Sequence, residues 1–292
     1  LGTAPVVLVN HALTGNSSVI GDKGWWGELI GQNKAIDTLR FTIIAFNIPG
    51  NGYDGFLIDN YKDFVAKDIA NLFLLALEFL NISKLYAIIG GSLGGGIAWE
   101  MVAIKNDIAQ HIIPIASDWK STDWLIANCL IQEQFLLNSK HPVQDARMHA
   151  MMCYRSPESY KIRFDRSINT ELGIFNVESW LFHHGKKLQE RFALSAYKMM
   201  NQLLKTIEAT DHENWVDESN KIQANTHMIA VDSDVFFIAK ENKITFTELS
   251  KMNPRIFYHE IKSVHGHDAF LIEFDQLNSI IKPIFNSEKN NF

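Results

Sequence analysis

Leu85-Tyr86-Ala87-Ile88-Ile89 leads into Gly90-Gly91-Ser92-Leu93-Gly94, and that turn leads into Ile97-Ala98-Trp99-Glu100-Met101-Val102-Ala103. An apolar run of strand length, a turn of very small residues and an apolar stretch of helical length follow one another with little between them. A serine on so sharp a strand-to-helix turn takes up a strained backbone conformation, which only very small flanking residues admit. The turn lifts the Ser92 hydroxyl clear of the sheet, and the opening of the next helix aims unpaired backbone N–H groups at any negative charge that develops beside it. Ser92 is therefore the candidate nucleophile, and the N–H of Leu93 a candidate donor to an oxyanion.

The rest of the chain repeats this alternation. Short apolar runs at residues 5–9, 42–46, 112–116, 226–231 and 256–261 read as strands. Across residues 63–80, Phe64, Ile69, Phe73, Leu77 and Leu80 recur at helical spacing and predict a crossover helix between parallel strands. Strand signals vanish from Ser117 to Asn220, where residues 124–137, 144–154, 178–191 and 194–208 carry helical patterns. Within that span Ser156-Pro157-Glu158 supplies a helix start, the serine capping and the proline at the first helical position. Helices near residues 244–251 and 273–285 complete the pattern. The expected architecture is α/β: a mostly parallel, doubly wound sheet over residues 1–116 and 221–292, interrupted by a helical lid subdomain over 117–220.

The 292 residues are 47% hydrophobic and 21% charged, with a formal net charge of −6, as in an ordinary globular chain with a sizeable core. That balance argues against a nucleic acid or an anionic membrane as the main partner. Cys129 and Cys153 each sit in a helical pattern without CxxC spacing, so neither a disulfide framework nor a thiol metal site is expected. No apolar stretch reaches the roughly 18 residues of a membrane-spanning helix and no leader pattern opens the sequence, so a cytoplasmic protein is expected. Because Pro5-Val6-Val7-Leu8-Val9 already reads as a buried strand, natural residues are expected ahead of Leu1.

A serine hydroxyl is too weak an acid to attack unaided. A neutral imidazole must take its proton, and a buried carboxylate must hold the imidazole in one tautomer. The order serine, acid, histidine, each just past a strand, is available here: Asp234 follows residues 226–231 and His267 follows residues 256–261. Asp232, past the same strand, and His265 are the alternative occupants of those two roles. His265 and His267 have no third ligand at recognisable spacing, so no metal is expected. The second oxyanion donor falls in His11-Ala12-Leu13-Thr14-Gly15, directly after the first strand, with Leu13 and then Thr14 as candidates. Gly50-Asn51-Gly52-Tyr53-Asp54-Gly55 has the spacing of a dinucleotide fingerprint, but no helix opens on it and the acidic residue is missing, so it reads as a glycine-rich loop.

Together these stretches resemble the homoserine O-acyltransferase family of the α/β-hydrolase fold along nearly the whole chain. The likeness is carried by His11-Ala12-Leu13-Thr14-Gly15, Gly24-Trp25-Trp26, Ala35-Ile36-Asp37-Thr38, Gly90-Gly91-Ser92-Leu93-Gly94-Gly95 with Trp99-Glu100, and Ala146-Arg147-Met148. Tyr154-Arg155-Ser156, Val177-Glu178-Ser179-Trp180, Arg191-Phe192 with Tyr197, Asp211-His212, Ser233-Asp234 and Gly266-His267-Asp268-Ala269-Phe270-Leu271 continue it, the last being the most specific. The resemblance implies double-displacement transfer of an acetyl group from acetyl-CoA, a co-substrate rather than a bound cofactor, to the hydroxyl of L-homoserine through an acyl-Ser92, in methionine biosynthesis. It also favours Asp234 over Asp232. It further implies that Arg191 binds the amino-acid carboxylate, that Asp268 contacts the amino end with Tyr197 nearby, and that the helical insertion carries a homodimer contact. The chain departs from the family at Ala193 and Ser195, where aspartate and asparagine are usual, and in residues 47–55, which are shorter and lack a Gly-Ser-Thr-Gly-Pro loop. Succinyl-CoA as donor, water as acceptor in an esterase or thioesterase, and a silent binding module are the alternatives.

Overall fold

Six strands form one parallel sheet in a computed structural model that describes residues 4–211 and 213–286. They are β1 (Val6–Asn10), β2 (Thr42–Ile44), β3 (Leu85–Gly91), β4 (Ala109–Ile115), β5 (Asn225–Val231) and β6 (Ile256–Ile261). Their spatial order is β2-β1-β3-β4-β5-β6, every neighbouring pair parallel. The chain runs outward from β1 to the edge strand β2, then crosses back to β3 on the other side of β1. Loops that leave β1 and β3 therefore diverge, and a crevice opens between them at the carboxyl ends of the strands.

Helix α1 (Ala66–Phe79) makes that crossover. Its buried stripe of Ile69, Ala70, Phe73 and Leu77 packs inward while Lys67, Glu78 and their neighbours stay wet, and the Asp68 carboxylate accepts the Val65 N–H (2.9 Å) to close its first turn. Helix α2 (Leu93–Ile104) follows β3 directly and is buried over Leu93–Val102. Successive residues of β1 serve opposite faces: Leu8 joins a core with Ile88, Ile97 and Trp99, whereas Val7 and Val9 join one with Ile89, Ile113 and Phe285. Burial on both faces is why these strands read as unbroken apolar runs.

Between β4 and β5 lies the helical layer: α3 (Asp123–Asn138), α4 (Pro142–Tyr154), α5 (Pro157–Phe164), α6 (Asn176–Gln189), α7 (Leu194–Lys205) and the short α8 (Trp215–Asn220). Helices α9 (Ala239–Leu249) and α10 (Phe274–Asn286) flank β6. Ser156 caps α5 by accepting the Ser159 N–H (3.0 Å), with Pro157 at the first position.

The boundaries differ from the sequence expectation in physically simple ways. Strand β4 begins at Ala109 rather than 112, because Gln110 and His111 hide its start in a polar pair. Strand β2 stops at Ile44 rather than 46; it is an edge, paired on one side only, and ends where its register with β1 ends at Leu8. Helix α7 stops at Lys205 rather than 208, where the Thr206 hydroxyl donates back to the Gln202 carbonyl (2.9 Å). Of the Asp211-His212 pair, His212 lies outside the described residues. No helix among the described residues is long and apolar enough to cross a membrane.

Candidate active site

Ser92 stands between β3 and α2 with φ +56° and ψ −124°, a conformation costly for a residue with a side chain. Its surroundings leave no space for larger neighbours. A Cβ on Gly94 would lie 2.3 Å from the Asn10 carbonyl oxygen, and one on Gly90 would lie 2.5 Å from the Gly94 backbone. The turn is also tied sideways, since the Ser92 N–H donates to the Ile115 carbonyl of β4 (2.9 Å). Strain is thus held by the sheet on one side and by close packing on the other.

The Ser92 hydroxyl donates to Nε2 of His267 (2.9 Å), and Nδ1–H of His267 donates to Oδ2 of Asp234 (2.7 Å). Asp234 is itself fixed: its Oδ1 accepts the N–H groups of Phe236 (2.7 Å) and Phe237 (2.9 Å). The three side chains leave β3, β5 and β6, and all three residues are buried. Tyr154, Phe236, Phe237 and Phe270 surround the imidazole with ring centroids 5.1–5.7 Å away. Such a wall excludes water and strengthens the electrostatics inside it.

The two competitors point elsewhere. Asp232 accepts the Ser263 N–H (3.0 Å) at the surface. His265 meets Nη1 of Arg155 through its Nδ1 (3.3 Å). Among the described residues no group of three His, Cys, Asp or Glu side chains could hold a metal ion. Cys129 and Cys153 are free, buried thiols, and burial pushes them up to about 12 and about 11. Gly50–Gly55 is a loop whose three glycines all have positive φ, and a single 3₁₀ turn at Tyr61–Asp63 follows it.

On the far side of the crevice the turn after β1 is built around His11. Its Nδ1–H donates to the Ala12 carbonyl (2.8 Å), and its Nε2 accepts the Ile48 N–H (3.0 Å) and the Asn51 amide (3.2 Å). Burial pushes this imidazole down to about 4, so it serves as a neutral tie between two loops. Leu13 is buried on the turn it fixes. Among the described residues neither the Leu13 nor the Leu93 N–H has a hydrogen-bond partner.

The helical layer contributes the remaining groups, and here the arrangement differs from the expectation. The Tyr197 hydroxyl donates to Oε1 of Gln132 (3.1 Å) inside the layer, so it is committed there and not to Asp268. Arg191 reaches the turn after β1, donating to the Thr14 carbonyl (3.3 Å) and to the Tyr53 hydroxyl. Asp268, next to His267, is paired with Nε of Arg155 (2.9 Å). Arg147 has no ion pair or hydrogen bond among the described residues, as Arg163 and Arg166 also have none, and its guanidinium lies 5.3 Å from the Tyr154 ring centroid. Tyr154 in turn packs on His267, so Arg147 stands one ring away from the imidazole. The seven-residue spacing of Arg147 and Tyr154 is two helical turns, which sets both on one face of α4 and is the sequence signal that could have found the pair.

The loop carrying His267 is clamped to the layer. The Ser156 hydroxyl donates to the Val264 carbonyl, and Gly266 (φ +66°) passes so close to Ser156 that a Cβ would lie 2.9 Å from its nitrogen.

Comparison with known proteins agrees with this fold. The sequence pattern of the α/β hydrolase fold matches residues 5–151. A homoserine O-acetyltransferase of Salinibacter ruber is 30% identical over 308 residues, covering 94% of this chain and 86% of the relative. One of Nostoc punctiforme is 31% identical, covering 94% and 84%. The chain belongs to the homoserine O-acetyltransferase family. Members of that family and of others share its fold: a homoserine O-acetyltransferase structure from Staphylococcus aureus superposes with a TM-score of 0.79 at 22% identity, covering all of this chain and 88% of that one. The esterase E22 superposes with a TM-score of 0.85 at 19% identity over 97% of this chain and 90% of that one. In a homoserine O-acetyltransferase-type enzyme on an α/β-hydrolase frame, a buried Ser–His–Asp chain with Arg147 one ring away from its imidazole defines the candidate site.

Proposed function

We propose that the protein acylates the side-chain hydroxyl of L-homoserine, with acetyl-CoA as donor, through an acetyl-Ser92 intermediate. The observation that carries the reading is the unbroken chain from the Ser92 hydroxyl through His267 to Asp234, at 2.9 and 2.7 Å, with the Arg147 guanidinium one ring away. Family membership supports homoserine as acceptor; the acetyl donor is the finer part of the proposal.

Ser92 Oγ attacks the thioester carbonyl while its proton passes to Nε2 of His267. Asp234 stabilises the imidazolium without itself taking the proton. The tetrahedral oxyanion is held by the N–H groups of Leu13 and Leu93. Collapse expels the coenzyme A sulfur, which takes the proton from His267 and leaves as the thiol. The homoserine hydroxyl then gives its proton to His267, its oxygen attacks the acetyl carbonyl, and O-acetylhomoserine departs as Ser92 recovers the proton.

Arg147 suits the carboxylate of homoserine by its planar fork, and we assign it that role in place of Arg191. Asp268, held by Arg155, suits the ammonium end. We also propose a homodimer through the helical layer, on the exposed apolar side chains Ile162, Ile168, Leu172 and Phe182, which light scattering would test.

The deciding experiment is thiol release from acetyl-CoA by the purified protein, with and without L-homoserine, together with mass analysis of the Ser92 peptide trapped before acceptor is added. Homoserine-dependent release and an acetylated Ser92 are expected. Release indifferent to homoserine would assign the acyl-enzyme to water, and a succinylated peptide from succinyl-CoA in preference would change the donor.

A further inference from the structure

The Gly15 N–H donates to the Ala12 carbonyl (2.9 Å), which makes Ala12–Gly15 a β-turn with Leu13 and Thr14 at its centre. The peptide unit joining Thr14 to Gly15 is therefore fixed at its nitrogen end. Its other end, the Thr14 carbonyl, accepts from the Tyr53 hydroxyl (3.1 Å) and from Nη1 of Arg191 (3.3 Å), and that nitrogen also donates to the Tyr53 oxygen. The unit is pinned at both ends, and the plane of the turn that carries Leu13 is set by two side chains from outside it.

Those side chains have different bases. Tyr53 comes from the loop that His11 ties down. Arg191 stands on the turn between α6 and α7, where its own N–H (3.0 Å) and that of Phe192 (2.9 Å) both donate to the Leu188 carbonyl. The buried Phe192 ring packs between Tyr53 and Tyr197, with centroids at 6.2 and 5.9 Å. The backbone of Arg191 thus moves with the helical layer while its guanidinium holds the turn across the crevice. Both contacting heads are exposed, so they add little to the folded state as a whole.

We propose that Arg191 and Tyr53 are positioning residues, a latch through which the helical layer fixes the orientation of the Leu13 N–H toward the oxyanion formed at Ser92. The proposal rests on the reading of Ser92 as the nucleophile. A donor stabilises a transition state only as far as it is oriented before the charge appears. A turn released at its Thr14 carbonyl must be reordered in every catalytic cycle, and acylation slows although no group touching the substrate has changed.

The test uses the full chain as wild type, Arg191→Met, Arg191→Lys and Tyr53→Phe. The rate of Ser92 acetylation is read from the p-nitrophenol burst with p-nitrophenyl acetate, without homoserine; the homoserine KM is read separately with acetyl-CoA, and Tm by calorimetry. Loss of a whole oxyanion donor lowers rates by about 10²–10³, so release of its tether is expected to slow the burst about tenfold in Arg191→Met. A smaller loss is expected in Tyr53→Phe and partial recovery in Arg191→Lys, with homoserine KM and Tm unchanged. An unchanged burst with a raised homoserine KM would make Arg191 a substrate ligand and overturn the latch. A Tm that falls in step with the burst would make the contact structural and overturn it equally. Absence of any burst in the wild type would instead sink the reading of Ser92, and the latch with it.

Discussion

Ser92, Asp234 and His267 each leave the carboxyl end of a sheet strand, whereas Arg147, Tyr154 and Arg155 come from α4 and the residue after it in the helical layer. The sheet strands are hydrogen-bonded along their length to parallel neighbours, and that framework holds oxygen, imidazole and carboxylate within hydrogen-bonding reach. The layer meets the site through side chains and three clamps, at Ser156, Gly266 and Arg155. The reacting atoms therefore sit on the hydrogen-bonded sheet framework, and Arg147, suited to the substrate carboxylate, sits on the helical layer. Evolving a new acceptor on such a frame calls for changes in α4, not in the strands.

The largest effect that could break this division is at Ser92. Ser92→Ala keeps the backbone turn and removes the attacking oxygen, and acyl transfer is expected to fall by about 10⁵-fold because members of such a triad act as a unit. Thermal unfolding should change little. Activity surviving in a folded Ser92→Ala protein would mean that the sheet does not supply the reacting atom.

On the layer side, Arg147→Met keeps the length and apolar stem of the side chain and removes the fork. A hydrogen bond between charged groups contributes about 1.5–3 kcal/mol, so kcat/KM for homoserine should fall by about 10²-fold. The loss is expected in KM, with the rate of Ser92 acetylation unchanged. Slowed acetylation would place Arg147 on the chemical side of the comparison and dissolve it.

The same division governs what could be read from sequence. Ser92, Asp234 and His267 were legible because strand ends are legible: apolar runs buried on both faces stand out, and a residue just past one is confined to a small region of space. The strained turn announced itself through Gly90 and Gly94, whose absent side chains are a direct consequence of the closeness of Asn10 and Gly94. The layer obeyed no such rule. Its helices follow from their periodicity, but which helix face meets the crevice depends on how six helices pack; the resemblance implies Arg191 as the carboxylate ligand, whereas we propose Arg147. The two-residue ribbons at Ile30–Gly31 with Ile36–Asp37 and Ile168–Asn169 with Ile174–Phe175 are too short to carry any period.

A smaller effect probes the joint between the regions. Glu100, fully buried on α2, accepts the Glu208 N–H through Oε1 (2.8 Å), while Oε2 has no hydrogen-bond partner among the described residues. Burial pushes this carboxyl up from 4.5 to about 7. Between those values the unfolded chain has released a proton that the folded one keeps, so stability declines as pH rises through that window and is flat above it. Glu100→Gln retains the acceptor and removes the ionisation. It should be more stable than the parent at pH 8 by about 2 kcal/mol and nearly equal to it at pH 4.5, as read by Tm across pH. A gap that does not widen with pH would show that the joint is hydrated.

The sheet answers pH with the opposite sign. His111, His227 and His259 stand on β4, β5 and β6; His111 Nδ1 meets His227 Nε2 (3.2 Å), and the His227 and His259 rings stack at 6.0 Å. Burial holds His111 down at about 4 and His227 at about 3, with the neighbouring imidazoles adding to the effect on His227, and it lowers His259 as well. The unfolded chain takes up these protons near pH 6.5 and the folded sheet does not, so stability is lost as pH falls from about 6.5 toward 4. His227→Gln removes the most depressed of the three and should move the acid-unfolding midpoint down by about half a pH unit, monitored by circular dichroism. Because Glu100 and His227 stand on separate elements and act with opposite sign, the double variant should show both shifts without coupling. Coupled shifts would mean that the layer joint and the sheet open together, and the boundary drawn here between the sheet framework and the helical layer would have to be moved.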